Sequence, residues 1–399
     1  MSQSTYSDYY MLFSLAGPQT GRTTAFDVSA NGRWLCSATD DGDFTVLSTN
    51  GHAHFRVGMG VPHMVTSVTW VGNRQIALGC VDGAIYMATF SAEPHPTEKR
   101  VQIIEILHCY KTSAVHALAY DANSKLLAVR YENCVAVWRQ IPGKPSSTWA
   151  IVDSCLVQPD RTRVSVNLLH FFGPDARLLI GSELGFMMWS PKEGLTRLDT
   201  EAGVPDIASS AVSLDGSMLA VSTPDYVVTI WLLSRQGPHA PVSYKDSRRS
   251  GGERHPLTPR APITFTCDDD VVYGTCDKAI IIIGHGGERL QTLTCAAHIR
   301  AIVAHGDMLY ASLNDAYGVV TTVAYSNKKS QQNEFSGTKD SRTNDTTSTS
   351  EQVPTFYRLN EVFEAPSYGK RHAQWYIICP VIIFFMMWLV RGRSVEGHA

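Results

Sequence analysis

The chain has 399 residues, 44% hydrophobic and 18% charged, with a formal net charge of −3. This composition suits a folded protein with ample apolar side chains to bury, and it argues against a dedicated nucleic-acid binder, whose phosphate contacts leave a clearly basic surface. The nine cysteines are odd in number. Cys36, Cys80, Cys134, Cys267 and Cys276 fall in or beside apolar runs without zinc-site spacing, which predicts buried, reduced thiols and a reducing compartment such as the cytosol.

The N-terminal MSQSTYSDYYMLFSLAG has no basic residue before a short apolar run, unlike a signal peptide. Tyr9 to Leu15 is instead predicted to be a strand that completes the outer edge of the last structural unit. From there the chain repeats itself. An acidic residue stands six positions ahead of an apolar one in DGDFTVL (from Asp41), DGAIYMA (Asp82), ENCVAVW (Glu132 to Trp138), ELGFMMW (Glu183 to Trp189), DYVVTIW (Asp225 to Trp231), DKAIIII (Asp277) and, more weakly, DAYGVVT (Asp315). Successive acidic residues lie 41, 50, 51, 42, 52 and 38 positions apart.

Each copy follows two short apolar runs. The pattern predicts a strand, a turn, a second strand, a tight turn at the acidic residue, and a third strand. An acidic side chain at such a turn can accept backbone N–H bonds, and a following glycine enters conformations that strain other residues. Units are predicted over 23–57, 64–107, 114–157, 164–198, 207–244, 261–295 and 299–325. Lys245 to Arg260, KDSRRSGGERHPLTPR, is a basic, glycine- and proline-containing insertion loop, with Ser250 and Thr258 as candidate phosphorylation acceptors.

Residues 326–372 are predicted to be a disordered linker, polar to about Ser350; within it 353–366 regain apolar residues without a clear period. Residues 373–390, AQWYIICPVIIFFMMWLV, carry no charge, and basic residues flank them at Lys370, Arg371, Arg391 and Arg393. Eighteen helical residues span roughly 27 Å, the thickness of a thin endomembrane, and Trp375, Tyr376 and Trp388 lie near the two ends, where such rings prefer the headgroup level. This predicts a transmembrane helix in contact with the lipid bilayer, a short tail at 391–399, and a tail-anchored, single-pass arrangement.

The repeat period, the acidic turns and the closing Trp138, Trp189 and Trp231 make the stretch from about Tyr9 to Tyr325 resemble the WD-repeat family of β-propellers. The resemblance implies an all-β fold, a seven-bladed β-propeller, here followed by one C-terminal transmembrane helix. No copy has Asp directly after the closing Trp, and only two keep Asp-Gly at the turn. In that family the acidic turns and the blade-to-blade links share one face. By resemblance, that face here would present Arg130, Tyr131, Arg161, Arg163, Tyr226, Arg248, Arg249 and Lys278 to protein partners. Asp41, Asp82, Glu132, Glu183, Asp225, Asp277 and Asp315, with the three tryptophans, are read as residues that make the fold.

No P-loop, HExxH, GxSxG or paired Cys/His spacing occurs, so no catalytic, cofactor or metal residue is nominated and the protein is read as a non-enzyme without a cofactor. The leading functional expectation is a membrane-tethered scaffold, its propeller in the cytosol, at the endoplasmic reticulum or, alternatively, the mitochondrial outer membrane. The overall plan also resembles the ER-anchored propellers that activate the small GTPase of the COPII coat. The glycine-rich, potassium-binding loop of that family is missing from blade one here. Nucleotide exchange on a small GTPase therefore stands as the alternative, and an enzyme with a site in the central channel as a second.

Overall fold

A computed structural model of the chain describes residues 9–16, 21–49, 54–57, 64–90, 101–108, 113–131, 134–144, 148–156, 166–182, 185–198, 207–234, 237–245, 261–284, 286–315, 317 and 319–327. Outside the described residues lie Glu132, Glu183, Arg161, Arg163, Arg248 and Arg249, the insertion loop after Lys245, the linker after Asn327, and the whole of 353–366, 373–390 and 391–399. Among the described residues no helix is long and apolar enough to cross a membrane.

The described fold is all-β. After β1 (Tyr9–Ala16), blade one is formed by β2 (Thr23–Val28), β3 (Trp34–Thr39), β4 (Phe44–Ser48) and β5 (His54–Val57). Blade two has β6 (Val65–Gly72), β7 (Gln75–Cys80), β8 (Ala84–Phe90) and β9 (Val101–His108); blade three has β10 (Ala117–Asp121), β11 (Leu126–Arg130), β12 (Cys134–Gln140) and β13 (Trp149–Leu156). Blade four has β14 (Val166–Phe172), β15 (Arg177–Ser182), β16 (Gly185–Ser190) and β17 (Gly194–Arg197); blade five has β18 (Ser209–Val212), β19 (Met218–Ser222), β20 (Val227–Ser234) and β21 (Gly237–Lys245). Blade six has β22 (Ile263–Phe265), β23 (Val271–Gly274), β24 (Ala279–Ile283) and β25 (Arg289–Thr294). Blade seven takes β26 (His298–His305), β27 (Met308–Asn314) and β28 (Val320–Asn327), the last strands of the ring. Its fourth strand is β1, paired antiparallel with β28 from Tyr9 opposite Asn327 to Ala16 opposite Thr321.

These are seven four-stranded antiparallel sheets. The first strands touch in sequence, β2 to β6, β10, β14, β18, β22 and β26, and β26 touches β2 again. The circuit is a seven-bladed propeller of WD-repeat-like architecture, closed by pairing the first and last described strands in one blade.

The core lies between the blades. Seven apolar clusters form, one at each seam between neighbouring sheets. A sheet packed on both faces needs apolar residues at every position, because successive side chains point to opposite faces. The strand β11 shows this: Leu126 and Ala128 enter the seam with blade four, while Leu127 and Val129 enter the seam with blade two. Trp189 fills the seam between blades three and four, and its Nε1 donates to Asp153 Oδ2 at 2.7 Å. Trp231 meets Phe186 edge to face at 5.7 Å in the next seam. Trp138 is half-buried against the cluster between blades two and three.

Close approach of sheets sets residue size. A Cβ at Gly79 of β7 would stand 2.3 Å from Val115 Cγ1, and one at Gly274 of β23 would stand 2.9 Å from Ile299 Cγ2. Cys36 and Cys80 are buried, but Cys267 is not, correcting the expectation from its apolar neighbours: it occupies the exposed turn between β22 and β23. Cys134 and Cys276 are half-buried, and Cys36, Cys80, Cys134, Cys267, Cys276 and Cys295 are free thiols.

Candidate interaction face

In every blade the first strand is innermost and the strands alternate in direction, so the turn between second and third strands and the link to the next blade fall at the same end of the ring. At this end the repeated acidic residues act on their own turns. Asp315 Oδ1 accepts the N–H groups of Tyr317 at 2.8 Å and Val319 at 2.9 Å. Asp82 Oδ1 accepts from Ala84 N at 3.1 Å, and Asp41 and Asp225 accept the hydroxyls of Thr39 and Thr223. Asp277 lies exposed in the same position. Asp82 and Asp315 thus hold turn backbone directly, as Asx-type turns do, while Asp41 and Asp225 hold the turn through a threonine hydroxyl.

The residue after the acid adopts left-handed backbone. It is Gly42 (φ 87°) and Gly83 (φ 88°) in blades one and two, but Tyr226 (φ 62°) and Lys278 (φ 60°) in blades five and six. That geometry turns Tyr226 inward, to 5% exposure, and Arg130 and Tyr131 are likewise buried at 8% and 4%. Three of the side chains assigned by resemblance to the partner face therefore serve the ring and offer little surface, whereas Lys278 is exposed.

Hydrogen bonds across the inner seams fix the blades in register. Thr24 Oγ1 donates to Val65 O at 2.6 Å, Leu118 N donates to Ser67 Oγ at 3.0 Å, and Ser222 Oγ donates to Ala261 O at 2.6 Å. Between blades seven and one, Asn314 Nδ2 donates to Gly21 O at 2.8 Å, Thr23 N donates to Asn314 Oδ1 at 3.1 Å, and the hydroxyls of Thr23 and Ser312 lie 2.8 Å apart. Two half-buried titratable groups belong to this set. Asp27 accepts from Val28 N at 2.8 Å and from Trp70 N of blade two at 3.2 Å, and burial pushes its carboxyl up to about 7 against those two bonds. His170 Nε2 lies 2.9 Å from Ser210 Oγ of blade five, and burial lowers the imidazole to about 4.

One seam departs from the pattern. The inner strands β2, β6, β14 and β26 each slip by one residue near this end, at Thr24, Thr66, Asn167 and Arg300. Thr24 and Thr66 use the slipped position to donate a hydroxyl to the next blade's backbone. Blade seven places a guanidinium there. Arg300 Nε is buried with no hydrogen-bond partner among the described residues, and burial, then the charge of Arg22, lowers its pKa while Asp40 works the other way. Arg22 is exposed; its backbone N–H donates to Asp40 Oδ1 at 2.7 Å and its carbonyl accepts from Asp40 N at 3.0 Å. Beside this seam, on the loop after Asn314, Tyr317 is 92% and Val319 37% exposed.

Neither arginine stands out in the sequence. The signal that could have found Arg300 is a long cation at a strand-start position that other blades fill with Thr or Asn. Among the described residues no group of three or more His, Cys, Asp or Glu side chains is placed to hold a metal ion. No protein-family model matches the chain, and no curated protein matches it in sequence. A propeller fold fits a protein-interaction scaffold in general.

Proposed function

We propose that the protein is a non-catalytic scaffold whose ring recruits or organises protein partners at an endomembrane surface, with residues 373–390 as its anchor in the bilayer and the ring in the cytosol. The observation that carries the recruiting role is the loop face between blades seven and one, where ordered, exposed side chains stand on backbone pinned to both blades by Asn314 and Asp40. A rigid site of this sort binds without first losing conformational entropy. The anchoring role is supported by the eighteen uncharged residues and their basic flanks. The endoplasmic reticulum is the membrane such a short span fits best.

Proximity labelling from the full chain, compared with a chain truncated at Ser350, tests the reading. The scaffold role predicts that truncation removes membrane-resident neighbours and keeps partners bound by the ring; identical neighbours for both would refute recruitment through the anchor. A glycan on Asn344 in the native chain would place the ring on the lumenal side. Nucleotide release from small GTPases separates scaffold from exchange factor, since a scaffold leaves the release rate unchanged.

A further inference from the structure

We infer that the outer edge of β1 pairs antiparallel with the same strand of a second copy, joining two rings through their seventh blades. The inference goes beyond the scaffold reading and does not rest on it. Its basis is a contrast among the seven outer strands. Each of the other six carries a charged residue: Arg56 in β5, Glu105 in β9, Asp153 in β13, Arg197 in β17, Lys245 in β21 and Arg289 in β25. Of these, β5 and β17 are only four residues long, and β21 also has Pro238 and Pro241 beside a bulge. Such features keep an outer strand from recruiting another strand. The eight residues of β1, YYMLFSLA, include no charge and no proline, and its neighbours β28 and β27 have none either. The one irregularity in β1, a bulge at Leu12, leaves two successive apolar side chains outside, Met11 at 59% and Leu12 at 44% exposure.

The backbone groups of this edge follow from the register. Tyr9 N–H and C=O point away from β28, since Gln291 takes both, and antiparallel partners alternate between bonded and non-bonded pairs. Counted along β28 from Asn327, the non-bonded positions then fall opposite Met11, Ser14 and Ala16, whose N–H and C=O groups face outward. No further strand pairs with β1 among the described residues. Gln291 closes the edge at Tyr9, so the segment open to a new strand runs from Met11 to Ala16. A second copy is the occupant that an uncharged edge selects. Two-fold antiparallel pairing sets a strand against itself, and a charge near its centre then meets its own like charge, which opposes pairing. The other six outer strands each bring a charged residue to such a junction. β1 brings none, and it offers Met11 and Leu12 to the apolar side chains of its copy.

The experiment is sedimentation velocity of the full chain in detergent micelles over a micromolar concentration series, in which a monomer–dimer equilibrium is expected. Ser14→Lys, at an exposed position whose backbone already faces outward, is expected to weaken the dimer about tenfold or more, because two like charges are brought to one junction. Met11→Lys, at another exposed side chain, should act alike and guards against a Ser14 variant that misfolds. Ile104→Lys, at an exposed apolar residue on the outer strand of blade two, should leave the equilibrium unchanged. A chain that stays monomeric throughout the series would overturn the inference. So would a dimer that both β1 variants leave intact, as association through residues 373–390 would be, or one that Ile104→Lys weakens equally. The scaffold reading is judged separately by the proximity-labelling comparison and survives each of those results.

Discussion

The side-chain amide of Gln291 answers both backbone groups of Tyr9: Tyr9 N donates to Oε1 at 2.8 Å, and Nε2 donates to Tyr9 O at 2.9 Å. Gln291 belongs to β25, the outer strand of blade six, and Tyr9 opens β1, the strand that completes blade seven. One side chain thus acts as a strand neighbour across a seam, beside the strand that closes the ring. Tyr9 is 4% exposed and packs into the cluster between those blades, so its backbone has little access to water as a substitute.

Gln291→Ala is therefore expected to destabilise the ring by about 1–3 kcal/mol, the cost of leaving part-buried backbone groups without partners. Gln291→Glu should cost at least as much, because it presents an acceptor to the Tyr9 carbonyl. Urea denaturation followed by tryptophan fluorescence gives both values. An unchanged midpoint for Gln291→Ala would show that the clamp contributes nothing to closure.

The propeller was legible in the sequence because its physics is repetitive. A sheet covered on both faces makes its middle strands read as unbroken apolar runs, such as LLAV in β11, and a turn that needs an acceptor for its N–H groups keeps an acid at a fixed offset, as at Asp82 and Asp315. The interaction face was not legible by the same route. Tyr226 and Arg130 stand at loop positions and read as surface, yet left-handed backbone turns the first inward and the packed end of β11 takes in the second. Arg22 and Arg300 come together only on ring closure. No local pattern reports a charge pair made by opposite ends of the ring-forming chain.

Asp27 and His170 predict two opposed pH dependences. The His170 imidazole is lowered from 6.5 to about 4 by burial, so the unfolded chain binds the proton more tightly. Its contribution is complete above pH 6.5 and is lost as pH falls toward 4, by on the order of 3 kcal/mol. The Asp27 carboxyl is raised from 3.8 to about 7, so the folded state holds its proton. Its contribution is complete below pH 3.8 and is lost as pH rises through 7. Between pH 4 and 7 the two slopes oppose each other. Relative to wild type, Asp27→Asn should lose stability on acidification over that range, and His170→Asn should gain it. Denaturation midpoints at three pH values decide the matter; curves parallel to wild type for both variants would exclude either group as a source of pH dependence.

The contact of Gly79 with Val115 tests whether sheet spacing limits the seam. Gly79→Ala places a methyl carbon within 3 Å of two Val115 atoms and is expected to cost about 1–3 kcal/mol by overpacking. Val115→Ala alone leaves a cavity and should cost about 2 kcal/mol. In the double variant the new methyl occupies space vacated by valine, so the combined loss should fall short of the sum by about 1 kcal/mol or more. Simple additivity would mean that the sheets move apart instead of holding their spacing.

Lys278 and Tyr226 share one backbone conformation and should respond oppositely to the same substitution. A left-handed residue with a Cβ costs about 1–2 kcal/mol, of which glycine returns all but the roughly 0.5–1 kcal/mol it loses in conformational entropy on folding. Lys278 is exposed, so Lys278→Gly gives up no packing and should stabilise the protein by up to about 1 kcal/mol. Tyr226 at the matching turn is 5% exposed, and its aromatic side chain is worth about 3–5 kcal/mol in the core. Tyr226→Gly relieves the same strain yet should destabilise by a net 2 kcal/mol or so, because the buried ring outweighs the backbone term. Paired urea titrations give the two signs directly, and a loss of stability for Lys278→Gly would show that its left-handed backbone carries no strain to release.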